Sequence, residues 1–295
     1  MYIITGATGN TGKPLTLALL EAGQKVRILS RNPEKAKELT DKGAELFLGD
    51  TSQAEVLNHA FQGAKAVYAM IPFDMTAQAY TAHQIKHVDA IAEALKASGV
   101  PYVVTLSSVG ADLDSGGGVV QGLHYMEKTF DAIAGLNTLH LRATYFMENT
   151  LAMIAMIKQM GIMGSPIKGD LKMNMIATRD IAEYATKRLL ALDFKGHQVQ
   201  YLLGQRDLTY KEVAGIYGQT IGKSDLRYVE FSAEDYKKGF MQMGAPESLV
   251  DNLNTFIKSL NEGKILGAAR RTPESTTSTP IEEFAKIFAQ VYNHA

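Results

Sequence analysis

Residues 4–14, ITGATGNTGKP, set three glycines at every third position, Gly6, Gly9 and Gly12, between an apolar run, YIIT, and the start of a helical pattern. Glycines at this spacing permit a tight turn out of a strand and let backbone N–H groups approach a diphosphate. They also allow the next helix to pack close to the strand it leaves. The helix N-terminus adds partial positive charge at the same place. A glycine pattern alone is weak, but here a strand precedes it, a helix follows, and a second strand, KVRILS, ends at residue 30. That context marks a dinucleotide-binding turn and separates it from an ordinary loop.

The rest of the first half obeys the same grammar. Strands are expected at 2–5, 25–30, 44–49, 66–71, 102–108 and 138–143, with amphipathic helices near 12–22, 34–42, 53–62, 76–98 and 122–134. Several of the strands are apolar almost throughout, as strands covered by helices on both faces must be. The alternation predicts an α/β fold with a doubly wound parallel sheet of the Rossmann type.

After residue 150 the pattern changes. A methionine-rich stretch, LAMIAMIKQMGIMG (151–164), reads as core or as the wall of an adaptable apolar pocket. Residues 178–192 form a helix with Thr178 as its expected N-cap, and VQYLLG (199–204) a further strand. Helices dominate 209–262, RYVEFS (227–232) interrupts them, and 280–292 make a last helix. The expected organisation is a nucleotide domain over 1–155, with 178–205 returning to it, and a smaller, mostly helical C-terminal lobe from 156–177 and 206–295. The segment DSGGGVVQG (114–122) is expected to be a flexible loop.

Thirty basic and thirty-one acidic residues give a formal charge of −1, which predicts no phosphate-gripping face and no direct nucleic-acid partner. There are no cysteines, so disulfides, thiolate nucleophiles and sulfur-ligated metals are excluded. No signal-like or bilayer-length apolar run is present, so the expectation is a soluble, cytoplasmic protein without a membrane partner. A homo-oligomer stays open.

The second strand ends in LSRNPEK (29–35). Where NAD-preferring proteins carry an acid for the ribose 2′-hydroxyl, this chain has Arg31, with Lys35 one helical turn on. A guanidinium pairs with a 2′-phosphate, so NADP(H) is expected over NAD. Asp50 ends the third strand and suits the adenine amino group. Ile71 and Pro72 end the fourth strand, and Ser107 and Ser108 the fifth. Ligands of open α/β sheets lie outside these carboxyl ends.

TGATGNTG, SRNPEK, LGD, LSSVGA, LNTLHLRATYFMEN (136–149) and MIATRDIAEYA (175–185) together resemble the NmrA-like family, atypical members of the short-chain dehydrogenase/reductase superfamily. The resemblance runs from residue 1 to about 205 and more loosely beyond, and is nearest to the bacterial NADPH-dependent quinone-oxidoreductase-like branch. It implies a diphosphate loop of Gly6, Thr8, Gly9, Asn10, Thr11 and Gly12, a 2′-phosphate on Arg31, and Tyr145 and Phe146 near the nicotinamide. It also implies a small-molecule acceptor such as a quinone, while some members bind NADP as redox-sensing regulators instead.

Superfamily enzymes generally pair Tyr and Lys four apart on one helix, the phenol donating a proton and the lysine lowering its pKa. No tyrosine of this chain has a lysine four residues on. GLHYMEKTF (122–130) offers His124 four before Lys128 and Tyr125 three before it. His124 and Lys128 make a chemically sufficient pair, and Tyr125 is a further candidate. The plainer reading keeps His124 to orient the preceding loop and Lys128 to hold ribose. His83 and His87 share a helical face, but no third metal ligand is evident, so they are expected to be exposed helix histidines.

Overall fold

The computed structural model covers residues 1–295. Its first half is β1 (Tyr2–Ile4), α1 (Gly12–Glu21), β2 (Val26–Ser30), α2 (Pro33–Asp41), β3 (Glu45–Leu48), α3 (Ala54–Ala60), β4 (Ala66–Ala69), α4 (Tyr80–Ser98), β5 (Tyr102–Ser108), α5 (Gln121–Asp131) and β6 (Asn137–Ala143). There follow β7 (Tyr145–Phe146), α6 (Ile154–Met160), β8 (Ile162–Ser165), β9 (Met173–Ile176), α7 (Thr178–Ala191) and β10 (His197–Leu202). The chain ends with β11 (Asp207–Leu208), α8 (Tyr210–Thr220), β12 (Arg227–Glu230), α9 (Ala233–Gln242), α10 (Glu247–Asn261) and α11 (Ile281–His294).

Seven strands pair in parallel in the order β3-β2-β1-β4-β5-β6-β10. The chain winds outward from β1 to β3, then returns and winds the other way from β4, so the order reverses between β1 and β4. A crevice opens at such a switch point outside the strands' carboxyl ends. Side chains alternate along each strand. Tyr2 and Ile4 join a core shared with α1 and α7, whereas Ile3 joins one shared with α3, α4 and α5. Burial on both faces is why these strands read as continuous apolar runs.

A further core cluster, drawn mostly from the second half of the chain, packs Met147, Met153, Met163, Met173 and Met175 with Tyr217, Phe284 and Phe288. The methionine-rich stretch is therefore mainly core, although Met160 is exposed. Besides its helices, the part of the chain after β6 holds two small sheets, β11-β9-β7 and β12-β8. Because β7 begins two residues after β6, the small sheet starts at the large sheet's carboxyl edge.

Two local expectations are corrected. Ala177, not Thr178, occupies the N-cap of α7, and the cap is supplied from a distance. The Glu148 carboxylate accepts from the Thr178 amide at 3.0 Å and from its hydroxyl at 2.6 Å, matching an anion to the helix's positive end. Nor is 114–122 a free loop. Gln84 on α4 donates to Val119 O and accepts from the Gly122 amide, which docks the segment onto α4 as it runs into α5.

Candidate nucleotide and acceptor site

The turn between β1 and α1 is built by what its glycines lack. Gly6 has φ +63°, a conformation that penalises a side chain, and a Cβ there would also lie 2.5 Å from Met70 Sδ. A Cβ on Gly12 would lie 2.2 Å from Gly6 O, so α1 approaches the turn only as glycine. The amides of Asn10, Thr11 and Gly12 have no backbone acceptor, and α1 has neither a side-chain cap nor an acid in its first turn. An N-terminus left bare in this way is a fit for a diphosphate. Thr8, Gly9 and Asn10 are exposed, whereas Thr11 is buried and its hydroxyl accepts from Tyr68 at 3.2 Å. Thr11 therefore offers the site its amide, not its side chain.

On the β2–β3 side a cavity of about 560 Å³ is lined by Arg31, Asp50, Ser52, Pro72, His83 and Lys86, among others. Arg31 is largely exposed and reaches Asp50 at 3.3 Å. An exposed pair of this kind contributes little to stability, so its guanidinium remains available to an incoming anion. Burial raises the Asp50 carboxyl, but hydrogen bonds from Ser52 and the nearby His87 and Arg31 outweigh it and leave it below its ordinary value. Lys35 is exposed in the first turn of α2, where its amide donates to the Asn32 cap.

The histidines of α4 differ from expectation. His87 is buried, 2.8 Å from Thr51 Oγ1, and burial together with His83 pushes it down to about 4. It is neutral at pH 7. His83 Nε2 is buried without a partner and faces the same cavity. No group of three or more ligating side chains suited to a metal ion is present.

The carboxyl ends of β4, β5 and β6 border the other half of the crevice. Ile71 is buried and Pro72 half-buried. Ser108 pairs in register with Ala143, which brings Tyr145 and Phe146 alongside, both half-buried. Ser107 is buried and points the other way, donating to Glu127 at 2.5 Å.

Helix α5 commits two of its three candidates to hydrogen bonds within the fold. His124 is half-buried; its Nδ1 donates to Ala111 O at 2.8 Å and its Nε2 lies 3.6 Å from Asp114, so the ring ties down the preceding loop. Tyr125 is exposed and donates to Asp89 on α4 at 2.8 Å. Lys128 is exposed.

The residue of GLHYMEKTF that turns inward is Glu127. It is 5% exposed and takes both Nε and Nη2 of Arg142, at 3.1 and 2.6 Å. One turn on, Asp131 accepts from Thr138 at 2.6 Å and His140 at 2.9 Å. Burial raises the Asp131 carboxyl, but those two hydrogen bonds bring it below its ordinary value. Acids four apart on α5 thus meet Thr138, His140 and Arg142, alternate residues of β6, in a buried polar seam. The signal was present in the sequence, since NTLHLRA is polar at every second position and the acids stand one helical turn apart.

The switch-point crevice, the bare turn and the cation at the end of β2 define a dinucleotide-binding α/β protein. The chain belongs to the NmrA-like family, whose model matches residues 2–285. Over its whole length it is 28% identical to an NAD(P)H azoreductase of Xenophilus azovorans, also covered completely. Two solved structures share its fold. One is a Citrobacter sp. triphenylmethane reductase with NADP(H), at TM-score 0.80 and 20% identity, covering 98% of this chain and 100% of that one. The other is an Escherichia coli NADPH-dependent quinone oxidoreductase with NADPH, at TM-score 0.79 and 23% identity, covering 100% and 99%. No helix is long and apolar enough to cross a membrane.

Proposed function

We propose that this protein is an oxidoreductase that binds NADPH and passes its hydride to a quinone or a similar small conjugated carbonyl. The observation that carries this reading is the pairing of unpartnered amides at Asn10, Thr11 and Gly12 with Arg31 at the end of β2. When bound, NADPH supplies the hydride. The turn Gly6–Gly12, with Thr8 and Gly9, holds the diphosphate through backbone N–H groups; Arg31 and Lys35 receive the 2′-phosphate, and Asp50 accepts from the adenine amino group. Ile71, Pro72, Ser108, Tyr145 and Phe146 border the nicotinamide half. The names of the three similar proteins, all reductases of conjugated compounds, support the acceptor class.

A second reading, an NADP(H)-binding redox sensor that reports to a protein partner, is favoured by one feature: the two proton-donor candidates of α5, His124 and Tyr125, are committed to Ala111 O and Asp89. Loss of NADPH absorbance with a panel of quinones separates the two. Turnover is expected, and tight NADPH binding without turnover on any acceptor would favour the sensor. Arg31→Ala is expected to weaken NADPH about 10- to 100-fold, the worth of a charge-assisted hydrogen-bonded pair, and to leave NADH unchanged. Equal affinity of the variant for NADPH would remove the 2′-phosphate role.

A further inference from the structure

The cavity beside Arg31 is lined mainly by polar side chains, yet Phe73 and Met75 also stand on its wall. Phe73 is 55% exposed and Met75 50%, which places them among the most exposed large apolar side chains of the chain. Both lie in the segment that joins β4 to α4. Single exposed apolar residues are ordinary on a protein surface. Two of them on the wall of one cavity give it an apolar surface against which a flat ring can lie.

The segment is held in shape by its own bonds. The Asp74 carboxylate accepts from the Thr76 amide at 2.8 Å and from its hydroxyl at 2.7 Å, a turn that fixes the backbone between Phe73 and Met75. The Phe73 ring meets the Tyr80 ring edge-to-face, at 5.6 Å and 61°. Tyr80 is itself buried at the start of α4, where its amide donates to Ser248. Phe73 is thus braced while much of its ring stays open. Strands β2 and β4 flank β1, so Arg31, next after β2, and Phe73, four residues after β4, line the cavity from its two sides. Asp50 lines it from the end of β3, and His83 Nε2, buried without a partner, belongs to its α4 wall. A polar group left unpaired in such a wall marks a site that a ligand completes.

We propose that Phe73 is the platform on which the adenine of the dinucleotide stacks, with Met75 covering the rim of the base. The inference rests on the NADPH-binding reading and adds to it a residue that grips the base, where Arg31 and the glycine turn grip phosphates. Every purine has a π-face, and an aromatic ring beneath it contributes affinity whatever the charge elsewhere on the ligand. The two sides of the cavity therefore divide the work. Phe73 strengthens NADPH and NADH alike, and Arg31 tells them apart.

The test is calorimetric titration of the full-length protein with NADPH, NADH and adenosine 2′,5′-bisphosphate, which carries the base and both phosphates but no nicotinamide. Phe73→Ala should weaken all three by a common factor of about fivefold or more, the lower end for a base that loses its aromatic platform. Phe73→Tyr keeps the ring and should bind all three as the unaltered protein does. The adenine H8 resonance of the bisphosphate should move upfield on binding, by ring current, and the movement should shrink in Phe73→Ala. Unchanged affinity for the bisphosphate in Phe73→Ala would overturn the proposal, as would a loss confined to NADPH or one that tyrosine does not restore. If the unaltered protein binds none of the three ligands, the cofactor reading itself fails. If it binds them without reducing any quinone, the same titrations still decide the role of Phe73.

Discussion

Helices α1 and α5 both leave the carboxyl edge of one sheet, yet they serve it in opposite ways. Helix α1 presents backbone: its turn is stripped of side chains, its first amides are unpartnered, and no acid competes for them. Helix α5 presents side chains, and directs the strongest of them inward, where Glu127 and Asp131 lock onto β6. A site made of bare amides waits for an anion, whereas a satisfied seam of charges needs none. The lesson is that ionisable residues at helical spacing indicate an active pair only when they are left unsatisfied within the fold.

Four changes would break or sharpen this contrast. The largest effect is expected at the bare turn. Gly12→Ala forces a Cβ to within 2.2 Å of Gly6 O, and NADPH affinity should drop by two orders of magnitude or more, about 3 kcal/mol; fluorescence titration measures it. Retained affinity would mean that the turn does not hold the dinucleotide.

Next comes the seam. Glu127→Ala removes the bidentate partner of the buried Arg142 guanidinium and leaves it only Asp112, 3.6 Å away, and should cost about 3 kcal/mol in urea unfolding, the low end for a broken buried pair. Adding Arg142→Met should recover much of that loss, because the stranded charge is then gone. A double variant no better than the single one would show that the seam does not act as a pair.

A smaller effect is expected from Asp131, whose folded pKa is depressed. Its contribution is fully present above the ordinary carboxylate value of 3.8 and is lost as pH falls through the depressed folded value. Asp131→Asn should therefore flatten the acid limb of a stability-versus-pH curve below about pH 4 and leave the slope near neutrality unchanged. The smallest belongs to Tyr125→Phe, which removes only an exposed hydrogen bond to Asp89. Stability should move by less than about 0.5 kcal/mol, with NADPH turnover unaltered. A tenfold loss of rate would return α5 to the chemistry.

Much of the fold was legible because its rules are local. The parallel strands announced themselves as apolar runs bounded by turns, and β5 was read to the residue, Tyr102–Ser108. The site was legible in part. Gly6, Gly12 and Arg31 stood in a fixed relation to β1 and β2, and that relation is itself written along the chain. Glu127 and Arg142 were not found, because each acquires its meaning from a partner on a different element. Arg142 reaches back 15 residues to Glu127, from a strand to the helix before it.

By itself, then, the amino-acid order determined a doubly wound sheet, a turn stripped for a diphosphate and a cation beside it. Each of these follows from backbone sterics and side-chain period over a dozen residues. Only the tertiary structure decided which ionisable groups are satisfied and which remain free. Satisfaction depends on burial and on the distance to a partner, and for α5 both were set by how the helix packs against β6 and α4.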